Sequence, residues 1–140
     1  SHRFREQQEL IASWEDYRQA TLHLLDRQTK QPLPSILELG PGDGSLLADL
    51  SKRALTVVAL DNSAAMLEQA RVKTTGAKNI HFTLGDASHL IEQQQHFDAV
   101  IANMVLHHTP NPEATFRDSA QLVRAGGVMI ISELCPHDQD

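Results

Sequence analysis

From Ser35 to Glu133 short β-type runs alternate with amphipathic helical stretches, and no other feature constrains the fold as much. Ile36-Leu37-Glu38-Leu39 reads as a buried strand and Gly40 to Gly44 as a turn. Ser45 to Arg53 follows as a helix carrying Leu46, Leu47 and Leu50. Thr56 to Leu60 is a second strand. Ser63 suits the N-cap of a helix running to about Thr74, with Gly76 past its end. Ile80, Phe82 and Leu84 alternate with His81 and Thr83 as in a third, half-covered strand, and Phe97 to Ala102 make a fourth. Asn111 and Pro112 form a cap and first turn for a helix with Phe116, Ala120 and Val123 on one side. Gly126-Gly127 then turns the chain into a fifth strand, Val128 to Ser132. Strands joined by helices cross over right-handedly, which predicts an α/β, doubly wound, mostly parallel sheet with helices on both faces.

From Phe4 to Arg27 the pattern is helical, and Pro32 and Pro34 close the segment. Leu10, Trp14, Tyr17, Thr21 and Leu24 recur at steps of three and four, the pattern of a helix packed on the main domain. The chain therefore divides into an N-terminal helical extension, residues 1–34, and an α/β core, residues 35–140. At 140 residues it can bury one core without disulfides or a structural metal. Twelve Lys and Arg against eighteen Asp and Glu leave a net charge of −6, which argues against direct nucleic-acid binding by this segment. The single cysteine, Cys135, excludes an internal disulfide and suits a reducing, cytoplasmic setting. No apolar run approaches the roughly 20 residues of a membrane span.

Ligands of doubly wound sheets bind beyond the carboxyl ends of the strands, so the residues just after each strand carry the chemistry. After the first comes Glu38-Leu39-Gly40-Pro41-Gly42-Asp43-Gly44, where alternate glycines let backbone bend tightly and approach a ligand. A dinucleotide fingerprint would need its third glycine one position later, where Ser45 stands. A pyrophosphate here would also face Glu38 and Asp43, with no Lys or Arg between Ser35 and Ser51 to offset them. A ligand carrying an ammonium and a sulfonium suits such a loop better. Asp61, ending the second strand, can accept hydrogen bonds from both hydroxyls of a ribose. Asp86, after the third strand, can accept from an adenine amino group while the Ala87 N–H donates to the ring, although Asp is also a common turn residue there.

These motifs in this order resemble the class I S-adenosylmethionine-dependent methyltransferases, in particular the UbiE-like small-molecule branch. The resemblance rests on Glu38 to Gly44, Leu60-Asp61-Asn62-Ser63 with Met66-Leu67 and Ala70-Arg71, and Gly85-Asp86-Ala87. Phe97-Asp98-Ala99-Val100, Val105-Leu106-His107-His108, Leu122-Val123 and Gly126-Gly127 extend it. It implies a Rossmann-like fold and S-adenosylmethionine as cofactor. Glu38, Gly40, Gly42 and Gly44 would hold the methionine moiety, Asp61 and Asn62 the ribose, and Asp86 with Ala87 the adenine. Asn103 would line the methyl-transfer pocket. The function implied is methyl transfer to a small-molecule acceptor; the alternative is a non-catalytic S-adenosylmethionine-sensing domain of a transcriptional regulator. A nicotinamide-dependent oxidoreductase fits the glycine spacing and Glu38 poorly.

His107 and His108 are candidate general bases, since an imidazole titrates where a substrate proton must be removed. Packing or loop capping accounts for the pair equally well. His23, His81, His89 and His96 read as surface or packing residues, and no metal-ligand spacing joins the eight histidines. Phe4, Trp14 and Pro136-His137-Asp138-Gln139 resemble the flanks of methyltransferase domains joined to ArsR-type winged-helix repressors, so a DNA-binding domain outside this segment, or a homodimer, is a partner to test. Family members usually run on past the fifth strand with a further helix and two strands, so the resemblance implies a core incomplete at its C-terminus.

Overall fold

A computed structural model describes residues 14–105 and 111–134. Helix α1 (Trp14–Gln28) leads into strand β1 (Leu33–Leu39), helix α2 (Leu47–Ser51) and strand β2 (Ala54–Asp61). Helix α3 (Ala64–Lys73), strand β3 (Ile80–Leu84), helix α4 (Ala87–Glu92) and strand β4 (Phe97–Val105) follow. Helix α5 (Pro112–Leu122) and strand β5 (Val123–Leu134) complete the described chain. All four pairings are parallel and the sheet order is β3-β2-β1-β4-β5. This is the doubly wound, Rossmann-like sheet that the alternation predicts.

Strand side chains alternate between faces, and two apolar layers result. Ile36, Val57, Ala59, Ala99 and Ile101 meet Leu22 and Leu25 of α1, Leu46, Leu47 and Leu50 around α2, and Ala70 of α3. Leu37, Leu60 and Val100 point the other way, onto Leu90 of α4 and Leu122 of α5. Because β2 and β4 flank β1 and the chain winds outward both ways, the order reverses between β1 and β4. That gap is the switch point where such sheets bind ligands.

Several local expectations need correction. The helix expected over Ser45 to Arg53 spans only Leu47–Ser51, because tight bonds from Leu47 N to the Gly44 carbonyl (3.1 Å) and Asp49 N to the Leu46 carbonyl (3.1 Å) keep its start a turn. Phe116 and Ala120 of α5 face solvent, and Ser119 and Leu122 are buried instead, since the helix stops at Leu122 and Val123 already belongs to β5. Gly126-Gly127 is not a turn before β5 but an irregularity inside it, where the register jumps from Phe97–Val123 to Ala99–Val128. Gly127 has no choice of residue: a Cβ there would lie 2.5 Å from the Asp98 carbonyl oxygen. In the stripe of α1, Tyr17, Thr21 and Leu25 are the buried positions and Leu24 is only partly covered, while Leu10 lies outside the described residues. The packed extension is as expected. Helix α4 has no strong sequence signal and was not expected as an element.

Candidate cofactor site at the sheet switch point

Three strand ends converge at the carboxyl edge. Gly40 N donates to the Leu60 carbonyl (2.8 Å) and Gly85 N to the Asp61 carbonyl (2.9 Å), so the turns after β1, β2 and β3 lie side by side. Glu38, Gly40, Gly42, Gly44, Asp61, Asn62, Asp86 and Ala87 are thereby brought to one edge, with Asn103 on β4 across the switch point.

The loop after β1 needs its glycines. Gly40, Gly42 and Gly44 have φ of 69°, 60° and 86°, the left-handed region that side chains rarely enter. A Cβ on Gly40 or Gly42 would meet nothing within 4 Å, so their open sides leave backbone accessible to a ligand. Gly44 differs: its Cβ would sit 2.8 Å from Ala70 Cα, so this glycine seats α3 against the loop.

Glu38 lies beneath the loop, 1% exposed, and its Oε1 has no hydrogen-bond partner among the described residues. A buried carboxylate without a donor is costly, so it keeps its proton. Burial first, then the negative charge of Asp43, push its carboxyl up to about 8. Tyr17 from α1 is fully buried, and burial first, then the Glu38 charge, pushes its hydroxyl up. Asn103 Oδ1 is a second buried oxygen without a partner among the described residues. Asn103 Oδ1 is an acceptor, and Glu38 becomes one when a cationic donor draws it into its ionised form, so the site suits a ligand that donates hydrogen bonds and carries positive charge.

The remaining carboxylates are held by the chain itself. Asp61 Oδ1 accepts from Ser63 N at 2.9 Å, while Ser63 caps α3 by accepting from Met66 N at 3.2 Å. Asp86 is the N-cap of α4 and accepts from His89 N and the Ser88 hydroxyl, which lower its carboxyl below the usual range. Its role as a cap is thus visible in the structure. Asn62 is exposed, and Ala87, the first residue of α4, is partly buried against the layer of Leu37, Leu60 and Leu90. His23, His81, His89 and His96 are exposed. His107, His108 and Cys135, like Phe4 and residues 136–139, lie outside the described residues.

One residue here was not legible in the sequence. Lys73, the last residue of α3, donates to Asp43 Oδ2 at 3.1 Å. The window from Ser35 to Ser51 lacks a cation, but the fold delivers one from thirty positions away. Of these two acids, Asp43 is consequently paired, and Glu38 has no ion-pair partner among the described residues. No spacing within the loop could have indicated this.

Comparison with known proteins bears on the fold and the family. Residues 37–131 match the family model described as a methyltransferase domain. An uncharacterised 37.1 kDa protein of transposon TN4556 from Streptomyces fradiae is 30% identical over 113 residues, covering 79% of this chain and 33% of that protein. A ubiquinone biosynthesis O-methyltransferase from Vibrio vulnificus is 33% identical over 101 residues, covering 71% of this chain and 43% of the relative. This chain thus spans less than half the length of these relatives. Among solved structures, the DhpI–SAH complex superposes with a TM-score of 0.65 at 27% identity, covering 99% of this chain and 72% of that one. None of these relatives is named as a winged-helix regulator, so the ArsR-type fusion gains no support. The chain belongs to the methyltransferase-domain family, the class I S-adenosylmethionine-dependent enzymes.

Proposed function

We propose that this segment binds S-adenosylmethionine at the β1–β4 switch point and supports methyl transfer to a small-molecule acceptor. The observation that carries the reading is the orphaned, buried Oε1 of Glu38 under an open glycine loop. An amino-acid ammonium supplies the donor and the charge that this atom lacks. The Gly40–Gly44 backbone accommodates the methionine moiety, Asp61 with Asn62 the ribose hydroxyls, and Asp86 with Ala87 the adenine. The cofactor, when bound, supplies an electrophilic sulfonium methyl.

The chain's own contribution is orientation. Glu38 ionises on pairing with the ammonium and fixes one end of the cofactor, while Asp61 fixes the middle, so the methyl is aimed at an acceptor held in line. Asn103 Oδ1, buried near the end of β4 with no partner among the described residues, is available to accept a hydrogen bond from the N–H or O–H of the acceptor. Positive charge disperses as the methyl leaves, so an apolar lining opposes the transfer little. Where the acceptor must lose a proton, His107 and His108, which follow β4, are the assigned bases.

Calorimetric titration separates this reading from its rivals. Binding of S-adenosylhomocysteine with no binding of NAD is the expected result, and NAD binding alone overturns it. Methyl transfer by the whole protein to a phenol or amine panel distinguishes an enzyme from a sensor that binds without reacting.

A further inference from the structure

The glycine loop is the part of the proposed site with the least intrinsic order. Glycine loses more freedom on folding than any other residue, and Gly40, Gly42 and Gly44 all hold positive φ. Two contacts from α3 offset this. Gly44 packs directly on Ala70, and Lys73 pairs with Asp43 at 3.1 Å. Ala70 and Lys73 stand three apart and so share one face of the helix. Asp43 divides its carboxylate between Lys73 and the turn: Oδ1 accepts from Ser45 N and the Ser45 hydroxyl, Oδ2 from Lys73. The same helix starts behind Ser63, whose N–H is held by Asp61. One ten-residue helix therefore touches both the loop and the ribose end of the site.

We propose that Lys73 is a positioning residue of the cofactor site: its ion pair with Asp43 clamps the glycine loop onto α3 and offsets part of the Asp43 charge that opposes the charged form of Glu38. The proposal rests on the reading of Glu38 as the partner of the cofactor's ammonium. Among the described residues, the ionisable groups set against Glu38 are Asp43 from the loop and Tyr17 from α1. Tyr17 stays neutral, because burial holds its proton on. Asp43 is then the group that decides when Glu38 ionises, after burial itself, and Lys73 compensates Asp43. Removing Lys73 leaves Glu38 facing a bare carboxylate, so ionisation needs a higher pH. Removing the Asp43 charge does the opposite.

The test is calorimetric titration with S-adenosylhomocysteine from about pH 6 to pH 9, on wild type, Lys73→Met, Lys73→Arg and Asp43→Asn, with thermal melts to confirm folding. Lys73→Met should bind about threefold more weakly at neutral pH and low salt, the scale of an exposed ion pair. Its affinity–pH midpoint should move up, that of Asp43→Asn should move down, and Lys73→Arg should restore wild-type behaviour. The gap between wild type and Lys73→Met should close at high salt. Simple loosening of the loop would weaken both variants without moving the midpoints in opposite directions, and that outcome overturns the proposal. So does a wild-type affinity indifferent to salt, a measurement that needs no variant to fold. Wild-type protein that binds no S-adenosylhomocysteine overturns the cofactor reading and the proposal with it; wild-type binding beside an unchanged Lys73→Met overturns the proposal alone.

Discussion

Glu38 and Asp98 are carboxylates on neighbouring strands at opposite ends of the sheet, and their surroundings could hardly differ more. Asp98, at the amino edge on β4, accepts from Ser35 N at 3.0 Å and the Ser35 hydroxyl at 3.1 Å, with Arg124 at 3.9 Å. Glu38, at the carboxyl edge on β1, is more deeply buried and has an oxygen with no donor. The glycines repeat the contrast. Gly127 is pressed against the Asp98 carbonyl, whereas Gly40 and Gly42 face open space. One end of the sheet satisfies itself; the other leaves a buried oxygen without a partner among the described residues. Buried polar groups are almost always paired, so the unpaired oxygens of Glu38 and Asn103 near the switch point are what support a ligand site there.

Substitution of Glu38 should show the largest effect. Glu38→Gln removes a charged hydrogen bond and should lower S-adenosylhomocysteine affinity by about 2 kcal/mol, roughly thirtyfold, in calorimetry. The same change should raise the melting temperature of the free protein near pH 8. Glu38 has a folded-state value raised above that of an unfolded carboxylate, to about 8. Its proton is therefore held more tightly in the folded state, and stability falls as pH rises between the unfolded value and about 8, by up to roughly 1.4 kcal/mol per pH unit. Chemical denaturation of wild type and Glu38→Gln across that window should show the slope in the first and not in the second.

Gly127→Ala breaks the comparison from the other end. It should cost about 2 kcal/mol of stability through overpacking, with the affinity of the folded fraction unchanged. Gly42→Ala should do the reverse in kind, weakening ligand binding more than folding. For Asp61→Ala, the expected loss of affinity is about 1.5 kcal/mol, with the fold intact; unaltered affinity would remove the ribose assignment. Smallest is Asp98→Ala. It leaves the Ser35 donors without an acceptor and should cost about 1 kcal/mol in urea denaturation, without touching ligand affinity. A drop in affinity there would mean that the two ends of the sheet are not independent.

Strand and helix order was readable because period and caps are local. Ser63 and Asn111 are N-caps as their residue types indicate, accepting from Met66 N and Ala114 N. Boundaries were less readable, since they depend on partners. β4 runs past Ala102 to Val105 because β5 continues alongside it, with Asn103 opposite Ser132. Phe116 looked like a core residue because it repeats with Ala120, yet the sheet accepts the Ser119–Leu122 side of that helix. Helix α4 was missed because six residues with His and Ser among them carry little periodicity.

By itself, the sequence determined the class of sheet, the glycine loop, and the acidic residues after the first three strands. Those are written in short-range patterns, where backbone geometry permits only certain residue types. Tertiary structure alone decided which acid is left uncompensated. Asp43 and Glu38 are five residues apart and equally charged on paper; Lys73 arrives from α3 to pair with one, and burial under the loop isolates the other. Charge compensation is a matter of distance in space, and thirty residues of chain separate Asp43 from the cation that decides it.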